Sequence, residues 1–533
     1  MKKNYFGVML DTARNGVMKP EEVKKYARII QRMGYNMIWL YMEDTYEVTD
    51  EPYFGYLRGR YTKEELKDMD AYCTSIGVEL IPCVQTLGHL ATIFRWFDYD
   101  KALDTGGILR VGAERTYTLI EHMFKTLREC FTTKNIHIGM DEAHMMGRGR
   151  YFDEHGYRDH FKIFLDHLNK VTEIAGKYGF KPQIWSDMFF RICNKEGYYI
   201  AELEKPNPIP QEVCKKVPPE VDLVYWDYYH DTEKFYEEMI KYHQAFSNDI
   251  WFAGGAWSWI GFAPDNARSL KTMIPAMKTC KRMGIDKIVI TLWGDGGKEC
   301  SFYALLPSLF ALKMVYDGET DMEVIKAQFK EILGENFDDM MALDFPNCFG
   351  KDSSINGFCR YALFSDPFVG VMDYKIPIGR GNEYKSMANS FMEFGKNSQY
   401  KYVFDCMAAL CETLSVKYDL GAKTRKYYKE KNIELLKILL NDYNEVEGKL
   451  DILYDAFRTL WMKENKPYGF EVQDQRFGGL KQRIKSCRKM LIDYINGEQD
   501  SIPELEENLL DYCGGANLSY GSDWKKDVSV NVL

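Results

Sequence analysis

Two adjacent carboxylates close the apolar run Ile136-His137-Ile138-Gly139-Met140-Asp141-Glu142. In a parallel α/β protein, that is where a strand hands its last residues to the active face. Side chains alternate along a regular strand, so Asp141 and Glu142 cannot share one pocket while the strand stays regular, and one belongs in the turn beyond it. Two carboxylates that close resist ionising together, which holds one proton to higher pH. A carboxylic acid still protonated near neutrality is what cleavage of a poor leaving group needs. Capping of the next helix is the bland alternative, and the cargo of the other strand ends decides between them.

Those ends are rich. Successive apolar runs finish at Asp11 and Arg14; Glu43 and Asp44; Gln85, Gly88 and His89; Asp141, Glu142 and His144; Trp185 and Asp187; Trp226, Asp227 and Tyr228; Trp257 and Trp259; Trp293 and Asp295. Each has a plain explanation alone: a core aromatic, a hydrogen-bonded histidine, a helix cap. Together, tryptophans ending four strands and interleaved with acids fit a sugar ring, whose C–H faces stack on indoles while its hydroxyls need fixed acceptors. Arg14 supplies planar donors for ring hydroxyls or forms a salt bridge to Asp11 or another strand-end acid. A metal is not expected: His137, Asp141 and His144 lack HExxH spacing, and no Cys/His cluster completes a tetrahedral set.

The elements that would position this cargo alternate. Short apolar runs at Phe6–Leu10, Met37–Tyr41, Val78–Val84, Asn135–Gly139, Pro182–Trp185, Val221–Trp226, Ile250–Ala253 and Lys287–Leu292 are each trailed by a helix-length pattern. Helices are expected from Pro20 to about Met33, near Thr62–Ile76 and Arg115–Phe131, over the Phe161–Ala175 repeat, and near Asn266–Met283 and Tyr303–Tyr316. Eight such units predict a parallel (β/α)8 TIM barrel over residues 1–318, and no GxGxxG follows the first strand to favour an open doubly wound sheet. From 319 to 533 long helical patterns take over. Tyr443, Val446, Leu450, Leu453, Phe457 and Leu460 recur every three or four residues, and a last helix is expected near Gly478–Tyr494, giving a mostly α-helical C-terminal domain.

Bulk properties narrow the partners. A net charge of -10 over 533 residues disfavours nucleic acid or an anionic membrane, while neutral sugars remain compatible. No window approaches the roughly 18 to 20 apolar residues that span a bilayer. The apolar stretch after Met1-Lys2-Lys3 is too short for a signal peptide. Thirteen scattered cysteines without CxxC read as reduced thiols of a cytoplasmic protein.

A glycosidase with an enzyme nucleophile needs a second carboxylate, which many barrel glycosidases place on strand seven. Here strand seven, Trp251-Phe252-Ala253-Gly254-Gly255-Ala256-Trp257, has no acid. The substrate's own 2-acetamido oxygen would then attack the anomeric carbon, with one acid/base, one carboxylate orienting the amide N–H and a donor to the amide oxygen. Asp141-Glu142 supplies the first two, with Asp187, Asp227 or Asp295 as alternatives for the second carboxylate.

His137-Ile138-Gly139-Met140-Asp141-Glu142 resembles the strand-four signature of the family 20 glycoside hydrolases, the β-N-acetylhexosaminidases. Asp11 with Arg14, Gly88-His89, and the tryptophans after strands five, six and eight support the resemblance, which covers residues 5 to about 316 and is strongest to bacterial members lacking a domain before the barrel. It implies exo-acting removal of terminal non-reducing β-linked GlcNAc or GalNAc with retention, through an oxazolinium intermediate, without a cofactor. It further implies Glu142 as general acid/base and Asp141 as the residue orienting the acetamido group. Arg14 would grip ring hydroxyls. Trp185, Trp226 and Trp293 would wall the acetamido pocket, and Asp295 sits where the family often has a hydroxyl-binding Glu.

There are departures. Leu87 replaces the Pro common before the Gly-His pair. The tyrosine donating to the amide oxygen usually follows strand seven, where this chain has Trp257 and Trp259; Tyr228 is assigned as its substitute. His89 and Trp257 complete the expected substrate-binding set. A barrel glycosidase acting on sugars without an acetamido group and a catalytically dead carbohydrate-binding protein are the competing readings. The helical domain is left with three roles: bracing the barrel, building a homodimer contact, or lending residues to the pocket.

Overall fold

The computed structural model describes residues 4–194, 208–348, 354–516 and 518–531; Met1–Lys3, which carry the N-terminal charge, lie outside them. By compactness the chain divides into two units. The first comprises Met1–Ala256, Arg268–Trp293 and Ser308–Gln328, and the second Trp257–Ala267, Gly294–Pro307 and Phe329–Leu533.

The first unit is a closed barrel of eight parallel strands. They are β1 (Tyr5–Asp11), β2 (Met37–Tyr41), β3 (Glu79–Cys83), β4 (Asn135–His137), β5 (Lys181–Trp185), β6 (Asp222–Trp226), β7 (Ile250–Gly255) and β8 (Lys287–Leu292), each paired with its sequence neighbours, and β8 closes onto β1 with Tyr5 opposite Lys287 and Leu10 opposite Leu292. The near-continuous apolar runs predicted this, because strands buried on both faces do not alternate. β2 and β8 are buried at every position.

Helix boundaries follow local chemistry. Pro20 opens the helix Pro20–Arg32, where its missing N–H costs nothing. Thr62 and Glu65 form a reciprocal capping box that starts Lys63–Ser75. The barrel interior is filled by aromatics. The His137 ring lies 4.3 Å from Trp185 and 4.8 Å from Trp39, and Trp39 lies 5.6 Å from Trp251. All four are essentially unexposed, and each large ring so buried contributes roughly 1.5–3 kcal/mol.

Two expectations shift. β4 ends at His137 rather than Gly139, so Asp141 and Glu142 both lie beyond the regular strand. The last long helix begins at Phe470, eight residues before Gly478, and runs to Ile495.

The second unit is helical over most of its length. The long helix Ile433–Glu464 buries the whole Tyr443, Val446, Leu450, Leu453, Phe457 and Leu460 seam. Phe457 meets Phe262, Phe470 and Phe477 at ring distances of 5.0, 6.0 and 6.2 Å. No described helix is long and apolar enough to cross a membrane.

Candidate active site

The ends of β1 to β5 carry one continuous polar chain. Arg14 pairs with Asp11 at 3.1 Å and lies 3.5 Å from Glu43. The Tyr41 hydroxyl donates to Glu43 Oε1 at 2.9 Å, and Gln85 Nε2 donates both to Tyr41 Oη at 3.0 Å and to Asp141 Oδ1 at 2.8 Å. His89 Nε2 stands 3.2 Å from Asp141 Oδ2 and 3.7 Å from Glu142 Oε2. Arg191 Nη2 reaches Glu142 Oε1 at 3.4 Å, and its Nε pairs with Asp187 at 3.1 Å. Asp187 in turn accepts the Glu142 backbone N–H at 3.1 Å. The sequence-predicted residues Arg14, His89, Asp141 and Glu142 are therefore brought together.

The backbone at this end is strained to aim these groups. Glu43, His89, Met140 and Glu142 all have left-handed φ, at 44°, 55°, 70° and 49°. Non-glycine residues held there cost of order 1–3 kcal/mol each and cluster at functional sites. Two glycines allow the close approaches. A Cβ on Gly139 would lie 2.0 Å from Gln85 Oε1, and one on Gly88 would lie 2.8 Å from the Asp141 carbonyl.

The two adjacent carboxylates have different surroundings. The Asp141 side chain is 12% exposed and that of Glu142 is 43% exposed. Burial opposes charge on Asp141, but His89 and the Gln85 amide outweigh it and hold the carboxyl below the usual range. Burial likewise opposes charge on His89, yet Asp141 raises it to about 9. At Asp141 the imidazolium of His89, rather than repulsion from Glu142, sets the direction. Burial raises two carboxyls of the network, Asp187 against the opposing pull of Arg191 and Glu43 against that of Arg14. Burial lowers His137 to about 3, and its Nδ1 accepts the Gly139 N–H at 3.1 Å.

These shifts give a pH signature. A histidine whose folded pKa is raised adds stability that is complete below its unfolded value near 6.5 and is lost as pH rises through about 9. We expect His89→Asn to remove this alkaline decline. The check is Tm against pH for both proteins, and parallel curves between those limits would refute the His89–Asp141 pairing.

Aromatics stand around the network. The Arg14 guanidinium lies 4.9 Å from the Tyr41 ring and 4.8 Å from Trp293. Trp293 Nε1 donates to Tyr228 Oη at 3.1 Å, and the Tyr228 ring stacks on Trp226 at 5.3 Å. Trp185 lies 6.3 Å from Trp293, and no acceptor within the described protein meets its buried Nε1. The salt bridge weighed for Arg14 is thus present beside its aromatic contacts.

Trp257 and Asp295 fall in segments of the second unit. Trp257 is buried and stacks on Trp259 at 4.4 Å, while Asp295 is exposed. Their segments are held by a buried Arg–Glu–Arg cluster. Arg360 Nε donates to Glu299 Oε2 at 2.7 Å and its Nη2 to the Trp259 and Asp295 carbonyls at 3.3 and 3.2 Å; Arg476 Nη1 donates to Glu299 Oε1 at 3.0 Å. We expect Arg360→Met to destabilise the second unit by about 2–4 kcal/mol: Glu299 keeps Arg476, but the Trp259 and Asp295 carbonyls lose their donor. Denaturant unfolding reads this, and a loss below about 1 kcal/mol would contradict it.

Comparison with known proteins fixes the lineage. The catalytic-domain model of glycosyl hydrolase family 20 matches residues 4–244, and that of the glycoside hydrolase 20C C-terminal domain matches residues 338–520. The chain belongs to glycoside hydrolase family 20. Its relatives include human hexosaminidase D, 23% identical over 333 residues, a match covering 57% of this chain and 64% of the human protein. A beta-hexosaminidase of Akkermansia muciniphila is 23% identical over 222 residues, 34% of this chain and 43% of that protein. The match thus spans less than two thirds of each of these relatives. Among solved structures, a β-N-acetylhexosaminidase of Bacteroides fragilis aligns over 62% of this chain and 70% of its own, with 16% identity and a TM-score of 0.47. Flavobacterium johnsoniae chitobiase aligns over 94% and 74%, with 12% identity and a TM-score of 0.46.

Two contributors in this family 20 chain, Arg191 and Tyr41, escaped the sequence reading, and a third, Gln85, was named there without its role. Arg191 lies inside the helix Asp187–Cys193, one turn after Asp187, where an i,i+4 acid–base pair reads as an ordinary helix contact. Tyr41 reads as the last apolar residue of β2. Gln85 stands at a strand end, but nothing local shows that its amide bridges Tyr41 and Asp141.

Proposed function

We propose that this chain is an exo-acting β-N-acetylhexosaminidase that removes terminal β-linked GlcNAc or GalNAc with retention, the substrate's acetamido oxygen serving as nucleophile. The observation that carries this reading is the Asp141–Glu142 pair: one carboxylate enclosed and held charged by Gln85 and His89, its neighbour half-exposed beside Arg191. Acids in contrasting environments take contrasting roles. Asp141 accepts the acetamido N–H, aligns the amide oxygen on the anomeric carbon and stabilises the positive charge that grows on the cyclising ring. Glu142 protonates the departing oxygen, then takes a proton from the water that opens the oxazolinium ion. Tyr228 is assigned as donor to the amide oxygen. Arg14 binds ring hydroxyls, and Trp185, Trp226 and Trp293 supply the apolar walls.

Residues 1–318 form the catalytic part in this reading, and residues 319–533 the helical one. A reducing, cytoplasmic setting is supported by thirteen cysteines, none of them in a disulfide.

A panel of aryl glycosides tests the assignment. Aryl β-GlcNAc or β-GalNAc should turn over, and aryl β-Glc and β-Gal should not, because the attacking group is absent from them. Comparable turnover of all four would identify an acetamido-independent glycosidase. Saturable sugar binding without turnover would identify a binding protein.

A further inference from the structure

The second unit holds a cavity of about 590 Å³ that the catalytic reading does not use, within the roughly 300–1,000 Å³ range of small-ligand sites. Its lining includes Phe364, Gln475, Arg476, Arg483, Glu504 and Trp524. We infer that this cavity is a binding site for a neutral saccharide, separate from the barrel and independent of the activity proposed above.

The first observation is unmet donors. Trp524 Nε1 and Arg476 Nε are buried and have no acceptor within the described protein, although Arg476 as a residue is only 9% exposed. The two groups are neighbours, with the Arg476 guanidinium 5.2 Å from the Trp524 ring. Native proteins rarely leave such donors unanswered, so a ligand or water rich in acceptor oxygens belongs beside them.

Charge selects among such ligands. Arg476 is already matched by Glu299 at 3.0 Å, and Arg483 by Asp366, whose Oδ2 lies 2.5 Å from its Nε. Glu299 is shared with Arg360, so Glu504 on the wall is the third carboxylate against three guanidinium groups, and the cavity offers no net positive field to an anion. It offers donors, a carboxylate acceptor and the part-exposed ring of Trp524. Hydroxyls and a C–H face meet that combination.

The helix lining the cavity supplies an independent observation. Gly478 and Gly479 lie inside Phe470–Ile495, where glycine is less stable than alanine. Neither is required by crowding, since a Cβ on either would meet nothing within 4 Å. Gly479 borders the cavity, and a side chain there would project into open space at its wall. The missing side chain keeps the space free.

The test uses the full chain labelled with 5-fluorotryptophan, its Trp524 resonance assigned by Trp524→Phe. Glucose, cellobiose and N-acetylglucosamine are titrated against citrate and glucuronate. We expect a saturable Trp524 shift with a neutral sugar, retained in Gly479→Ala and weakened at least about tenfold in Gly479→Phe, whose aryl β-GlcNAc hydrolysis stays within about twofold of the parent. Should Gly479→Phe fail to fold, Gly479→Leu takes its place. No saturable shift with any neutral sugar, a shift with the anions alone, or one undiminished in the filled variant would overturn the inference. The hydrolysis rate is read separately, so loss of the cavity and failure of the catalytic assignment are distinguishable.

Discussion

Glu142→Gln is expected to lower kcat on β-GlcNAc glycosides with unactivated leaving groups by about 100- to 10,000-fold. The amide preserves the shape of the side chain and its approach to Arg191, which lies 3.4 Å from Oε1, but it cannot deliver a proton to the departing oxygen. The deficit must therefore depend on the leaving group. An alkoxide cannot depart unprotonated, whereas a dinitrophenolate can, so the variant should keep far more activity on dinitrophenyl β-GlcNAc than on the methyl glycoside. In kinetic terms, log kcat should fall steeply with leaving-group pKa in Glu142→Gln and only weakly in the parent. A uniform loss across the series would assign Glu142 to binding. No loss would remove it from the site.

Asp141→Asn should cost about 100- to 1,000-fold in kcat, the size expected when a preorganised stabiliser of transition-state charge is lost. Its environment makes the substitution severe. Gln85 Nε2 already donates to Oδ1 at 2.8 Å, and His89 Nε2 faces Oδ2 at 3.2 Å, so an amide nitrogen at either position would set donor against donor. The loss should appear in kcat more than in KM, because charge on the ring develops only as the bond breaks. It should also be confined to acetamido sugars. Any slow hydrolysis of aryl β-Glc by the parent should pass to the variant almost unchanged, and an equal loss on both sugars would point to misfolding of the network.

The barrel was legible because each of its signals is local. Apolar runs of strand length and helices marked by Pro20 or by the Thr62–Glu65 box announce themselves within a few residues. The two carboxylates were legible for the same reason, since a glycine-terminated run places its next residues at the strand end. What stayed hidden depends on partners far apart in sequence. Gln85 reaches Asp141 across 56 residues, and Arg191 reaches Glu142 across 49. Left-handed φ at Glu43, His89, Met140 and Glu142 was equally hidden, because these residue types give no hint of it and only the surrounding fold enforces it. The start of the last helix was misread at Gly478 because glycine usually marks a helix end; packing of Phe470, Phe477 and Leu480 carries the helix through the pair.

Substrate assistance is tested most directly by the affinity of the thiazoline analogue of the cyclised intermediate. The parent enzyme should be inhibited competitively, with binding at least about 100-fold tighter than that of GlcNAc, as expected of a mimic of the reacting state. Asp141→Asn should lose most of that advantage, since the carboxylate that aligns the acetamido group also faces the thiazoline nitrogen. A thiazoline that binds the parent no better than GlcNAc, or binds Asp141→Asn as tightly as the parent, would contradict the account.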